Sequence, residues 1–178
     1  AGLILVPSAF SSKTSYSDST TLSILSGDVF VMKGDSDNWK DAKDGMKLAA
    51  EDSVKTGADS YALITFFEGT TMNIEPDTEI TISELAVNEE TDSTFVRLKQ
   101  TAGETWNRVE KLTDSASKYE IETSAGVGAV RGTTIGLVVG SDGKTTMKVY
   151  EGEGSLFAQG VDVIIGEGME STVQPGEP

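Results

Sequence analysis

From Leu22 onward, short runs of Val, Ile, Leu, Phe, Tyr and Thr alternate with clusters of Gly, Asp, Asn and Ser. They recur at spacings of roughly 8 to 12 residues, the rhythm of an all-β sandwich or barrel. The clearest predicted strands are Asp28–Met32, Tyr61–Phe67, Thr71–Glu75, Glu79–Ser83 and Phe95–Gln100, followed by Thr105–Val109, Tyr119–Thr123, Thr134–Val139, Thr146–Tyr150 and Val161–Ile165. Each is about four to eight residues long, the usual size of a strand. Between Val139 and Thr146, the Asp142-Gly143 pair supplies the positive φ of a tight hairpin turn. Glu68-Gly69 predicts a second hairpin, with Gly69 left-handed. Only Asp37–Asp52 has helical composition, with Trp39, Ala42, Met46 and Ala49 or Ala50 near one face. Gly45 interrupts it, so one or two helical turns are expected at most.

The fold class read from this pattern is all-β: a single domain of many short antiparallel strands, sandwich- or jelly-roll-like, with a weak two-fold internal repeat. The repeat pairs the stretch from Asp37-Asn38-Trp39-Lys40 to Thr56-Gly57-Ala58 with that from Glu104-Thr105-Trp106-Asn107 to Thr123-Ser124-Ala125. The apolar start Ala1–Val6 predicts a first strand, the other reading being the stub of a signal or anchor segment. A Ser/Thr-rich loop, Ser8–Thr21, follows it. Residues 22–173 form the β domain, and 174–178 (Gln-Pro-Gly-Glu-Pro) have the composition of a linker into further chain.

Composition narrows the function. Among 178 residues, 29 Asp and Glu face 14 Lys and Arg, for a net charge of −15. That field repels phosphate backbones and anionic headgroups, which argues against nucleic acid and membrane surfaces as partners. The chain has no His and no Cys. Thiol nucleophiles, Ser-His-Asp triads and Cys/His metal sites are therefore outside its chemistry. No run of about 18 apolar residues occurs, so any membrane tether lies in segments outside this chain.

Several motifs imitate sites. Gly126, Gly128 and Gly132 with Arg131 could cradle an anion, but a β-branched strand follows where a dinucleotide fingerprint requires a helix. The preferred reading is a tight strand crossing, with Arg131 paired to a carboxylate. Gly143-Lys144-Thr145 resembles the end of a phosphate-binding loop, but Val138 occupies the position of its first glycine. Asp35, Asp37, Asp41 and Asp44 surround Trp39. Calcium-loop spacing from Asp35 puts Lys40 where Gly belongs and Met46 where the closing Glu belongs. A solvated acidic loop is the simpler reading. Glu151, Glu153, Glu167 and Glu170 are candidates for a carboxylate pair only if space brings two together. Trp39 and Trp106 are read as half-buried anchors rather than sugar platforms. No catalytic residue, metal or cofactor is assigned.

Read together, these segments resemble a FecR domain. The run from Trp39 through Asp52-Ser-Val-Lys-Thr56-Gly57 to Ala62-Leu63 and Phe66-Phe-Glu-Gly69 is similar to that family's first half. Ile74-Glu-Pro76-Asp-Thr78-Glu-Ile80 resembles its next element, Thr123 through Val130-Arg131-Gly132-Thr133 its V-R-G-T signature, and Val149-Tyr-Glu151-Gly152 with Gly166-Glu167 its closing strands. The resemblance covers Leu25 to Val173, in order. It implies a non-catalytic bacterial extracytoplasmic module, in the periplasm or at the cell surface, that binds an envelope or transporter protein and relays signal in a membrane-anchored parent. The family's sensors carry a cytoplasmic sigma-factor regulator and a membrane helix ahead of this domain, and neither occurs in this chain. Signature residues carried over are Trp39, Gly57, Gly69, Gly128, Arg131, Gly132 and Thr133. The alternative is a surface domain binding carbohydrate or calcium through Asp35, Asp37, Trp39 and Trp106.

Overall fold

The computed structural model describes residues 20–88, 90–91, 93–111 and 116–177; the expected strand at Ala1–Val6 lies outside them. Sixteen strands are present among the described residues. In chain order they are β1 (Thr21–Ser26), β2 (Val29–Met32), β3 (Lys40–Asp41), β4 (Met46–Lys47), β5 (Ser53–Thr56), β6 (Tyr61–Thr65), β7 (Thr71–Ile74) and β8 (Glu79–Asn88). Then come β9 (Ser93–Arg108), β10 (Lys118–Glu122), β11 (Val127–Val130), β12 (Thr134–Val139), β13 (Thr145–Glu151), β14 (Glu153–Ala158), β15 (Val161–Gly166) and β16 (Glu170–Val173).

They pair into two sheets that share β9. The first runs β3-β2-β5-β8-β9-β10-β11-β14-β15. The second runs β4-β1-β6-β7-β9-β12-β13-β16. All pairs are antiparallel except β9 with β10. Between the sheets lies one apolar core, with Val54, Ile80, Leu98 and Ile121 from the first sheet meeting Leu22, Ile64, Met72 and Leu137 from the second. Removing such side chains from water contributes roughly 1.5–3 kcal/mol each.

The parity of β9 explains how one strand serves both sheets. After Ser93, buried at its start, the buried positions are Thr94, Val96, Leu98 and Gln100 in the first half, then Thr105 and Asn107 in the second. Side chains alternate strictly along a strand, so the inside face has inverted. The inversion falls at Gly103, whose φ is +88°. A Cβ there would lie 2.1 Å from Thr78 Oγ1 and 2.5 Å from Thr78 Cα, so the position excludes every other residue type. The sequence predicts two strands here, Phe95–Gln100 and Thr105–Val109; they are one, because Gly103 bends the chain from sheet to sheet without ending it.

A bulge does similar work in β8. Ile82 pairs with Leu98 but Glu84 with Arg97, leaving Ser83 as the extra residue. The shift returns Leu85 to the core and turns Glu84 outward, 3.4 Å from Arg97.

A polar chain crosses the core beside the bend. Tyr119 Oη donates to Asn107 Oδ1 (2.7 Å), Asn107 Nδ2 to Thr105 Oγ1 (3.0 Å), and Thr105 Oγ1 to Gln100 Oε1 (2.8 Å). Gln100 Nε2 then donates to the carbonyls of Gly103 and Leu137. Burial pushes the Tyr119 phenol far above its ordinary pKa, so it stays a neutral donor.

The two predicted hairpins are present. β12 and β13 join through Gly140–Lys144, with Gly143 N–H donating to Gly140 O at 2.9 Å. β6 and β7 join through a 3-10 turn, Phe67–Gly69, in which Gly69 has φ +83°. The helical expectation for Asp37–Asp52 is corrected. That stretch holds the two-residue strands β3 and β4 joined by turns, with Gly45 at φ +73°. The internal repeat is not supported: Trp39 stands in the loop before β3, and Trp106 inside β9.

Candidate functional site

The chain passes between the sheets at glycine- and threonine-bearing crossings, and these place the surface of interest. At the β11–β12 crossing, Thr133 Oγ1 is buried and lies within hydrogen-bond distance of Glu153 O (2.8 Å) and Arg131 O (3.0 Å). Its backbone exchanges two hydrogen bonds with Val109. Gly132 has φ +60°, and a Cβ on it would come within 2.9 Å of Lys111 Cβ. The β5–β6 crossing repeats the device, with buried Thr56 Oγ1 donating to Glu75 O at 2.7 Å. Next to it, Gly57 N–H donates to Asp28 O at 2.9 Å. Gly128, inside β11, leaves room for Met147 from the opposite sheet, whose sulfur would lie 3.2 Å from a Cβ there.

Arg131 stands apart from its two neighbours: it is exposed and lines a depression of about 370 Å³ on the first sheet. Register explains the depression. Glu120, Ala129, Ser155 and Ile164 pair across β10, β11, β14 and β15, so two small side chains lie between larger ones. Glu120 also takes Arg97, whose guanidinium reaches it at 3.1 Å.

Beside the depression lies the edge of the sheet. β15 pairs only with β14, and its first four residues are exposed on both faces. Val161, Val163 and Ile164 are 45%, 42% and 59% exposed, next to Phe157 at 48%. The other edges are blunted. β3 and β4 have two residues each, and every one of those four is charged except Met46; β16 has four residues and begins with Glu170. Short, charged edges resist pairing, whereas a long apolar one invites it.

The alternative patch does not assemble. Asp35 and Asp37 are exposed in the loop before β3, and Trp39 is half-buried with Lys55 Nζ 5.7 Å from its ring. Trp106 lies on the second sheet, stacked on Tyr150 at 4.7 Å with Lys148 Nζ over the tyrosine. Among the described residues, no group of three or more carboxylates comes together to hold a metal ion. Glu75 has its pKa raised by burial and then by Glu104.

Comparison with known proteins gives a family. The model described as FecR protein matches residues 52–153, more than half of the chain. The chain belongs to the FecR family. No curated protein matches it. Two crystal structures of a proposed anti-sigma factor from Parabacteroides distasonis, at 2.50 and 1.65 Å, superpose with a TM-score of 0.56 and 14% identity. Each match covers 70% of this chain and 55% of the other, so the chain spans little more than half of those proteins and shares their fold.

The FecR match begins at Asp52, a buried carboxylate that accepts Lys33 Nζ and the amides of Gly34 and Ala49. It ends at Glu153, the carbonyl partner of Thr133. Of the signature residues carried over, Gly57, Gly69, Gly128, Arg131, Gly132 and Thr133 fall inside the FecR span and Trp39 ahead of it. The β15 edge lies beyond that span, and sequence reasoning missed it: Val161–Ile165 reads as a strand, but nothing local says that it has only one neighbour. FecR membership makes the chain a regulatory signalling module. No helix among the described residues is long and apolar enough to cross a membrane.

Proposed function

We propose that this FecR domain is a non-catalytic sensing module of the bacterial envelope, outside the cytoplasm. It takes an extended segment of an envelope or transporter protein onto β15 and relays that occupancy within its membrane-anchored parent. The observation that carries this reading is the β15 edge, which is long, apolar and exposed while the other sheet ends are short and charged. Strand addition uses main-chain hydrogen bonds for affinity and side-chain pockets for specificity. The depression at Ile164 supplies such a pocket. The fold shared with a proposed anti-sigma factor accords with a regulatory role.

The test is cross-linked capture from the envelope fraction with two baits, the native chain and Ile164→Pro, chosen because the Ile164 N–H faces away from β14. Proline removes a backbone donor at an exposed edge position and leaves the core intact. The expected result is one envelope protein held by the native bait and lost from the variant. Equal capture by both, or capture of glycan alone, overturns the reading.

A further inference from the structure

Around the same edge carboxylates predominate, with Lys118 and Arg131 set back in the depression and Lys148 paired across from Glu170. After Lys148 the chain has no Lys or Arg, while residues 151–178 carry Glu151, Glu153, Asp162, Glu167, Glu170 and Glu177. Asp162 stands within the edge strand, Glu153 at the start of its neighbour β14, and Glu167 and Glu170 in the connection to β16 and at its start. Glu167 is fixed toward Gly152, whose amide lies 3.5 Å from its carboxylate.

We infer that the segment received by β15 is basic as well as apolar: an extended stretch alternating aliphatic residues with Lys or Arg. The inference rests on the docking reading above and specifies its partner. Aliphatic side chains would cover Val161, Val163 and Ile164, and cationic ones would meet the carboxylate rim, where opposite charges steer encounter and fix register. A second copy of this chain is a poor occupant. It would bring the same carboxylates against themselves, and like charges on paired strands destabilise. An acidic partner meets the same penalty, enlarged by a net charge of −15.

The experiment titrates the isotopically labelled chain with two short capped peptides, one alternating Val with Lys and the other Val with Glu. The expected result is displacement of the amide signals of Val161–Ile165 by the Lys peptide alone, with affinity falling as salt rises. In a chain carrying Asp162→Lys, Glu167→Lys and Glu170→Lys, affinity for the Lys peptide should fall about tenfold and the Glu peptide should bind instead. If both peptides bind β15 equally, charge selection is overturned while edge docking stands. If neither moves β15 signals, edge docking falls and takes this inference with it. If sedimentation shows copies pairing through β15, the edge is self-complementary and the inference is wrong.

Discussion

The polar chain from Tyr119 to Gln100 gives the sharpest test of how the sheets are joined. Tyr119→Phe removes one oxygen from a side chain that is 2% exposed and leaves the ring against Phe66, 6.0 Å away edge-to-face. What is lost is the donor to Asn107 Oδ1 at 2.7 Å. Asn107 is fully buried, so its oxygen has no access to bulk water once that donor is gone. Leaving a buried acceptor unmatched costs about 1–3 kcal/mol, more than the bond itself contributes. With a urea slope of about 2 kcal/mol/M, the unfolding midpoint should fall by roughly 0.5–1.5 M at unchanged slope. The double variant Tyr119→Phe with Asn107→Leu should cost less than the two single changes added, because it removes the acceptor as well as the donor. Equilibrium urea unfolding followed by tryptophan fluorescence measures all three. A Tyr119→Phe midpoint within about 0.2 M of the native chain would refute the reasoning.

The remaining predictions concern the bend, the crossings and pH. Gly103→Ala should destabilise by about 3 kcal/mol or more, since it adds a left-handed φ penalty to a backbone clash with Thr78; thermal unfolding checks it. Thr133→Val should cost about 1–2 kcal/mol through the lost hydroxyl contacts to Glu153 O and Arg131 O. Arg131→Ala should leave the melt within about 0.5 kcal/mol of native while weakening capture of the partner, because its side chain lines the depression rather than the core. Glu75 has a folded pKa above its unfolded one, so the native state binds the extra proton, and its contribution is present at acid pH and lost as pH rises through the folded value. Glu75→Gln should therefore raise the melting temperature at pH 7 and change it little below pH ~4.

Much of the fold was legible where the signal is local. The β12–β13 hairpin follows from Asp142-Gly143 between two aliphatic runs, and the β6–β7 hairpin from Glu68-Gly69. Strands with internal glycine escaped notice, because Gly128 in β11 and Gly154 in β14 lower strand propensity locally and serve a distant need. Both make space for Met147, whose terminal carbon would lie 2.5 Å from a Cβ at Gly154. The second half of β9 was misleading for a different reason. Trp106 is its most apolar residue yet faces outward onto Tyr150, while Thr105 and Asn107 fill the core. A buried polar network inverts the pattern on which periodicity depends. Helical composition at Asp37–Asp52 lost to the pairing of β3 with β2 and of β4 with β1. The candidate site was least legible, because which strand lacks a neighbour is set by pairings between residues far apart, and Val161–Ile165 looks like any interior strand.

Amide hydrogen exchange on the chain alone and with its captured partner tests the β15 assignment most directly. The account predicts that the amides of Asp162 and Ile164, which face away from β14, exchange readily in the free chain and become protected in the complex, with β3, β4 and β16 unchanged. Protection confined to the Asp35–Trp39 loop or to the Trp106–Tyr150 face would contradict it, as would Asp162 and Ile164 amides already protected in the free chain.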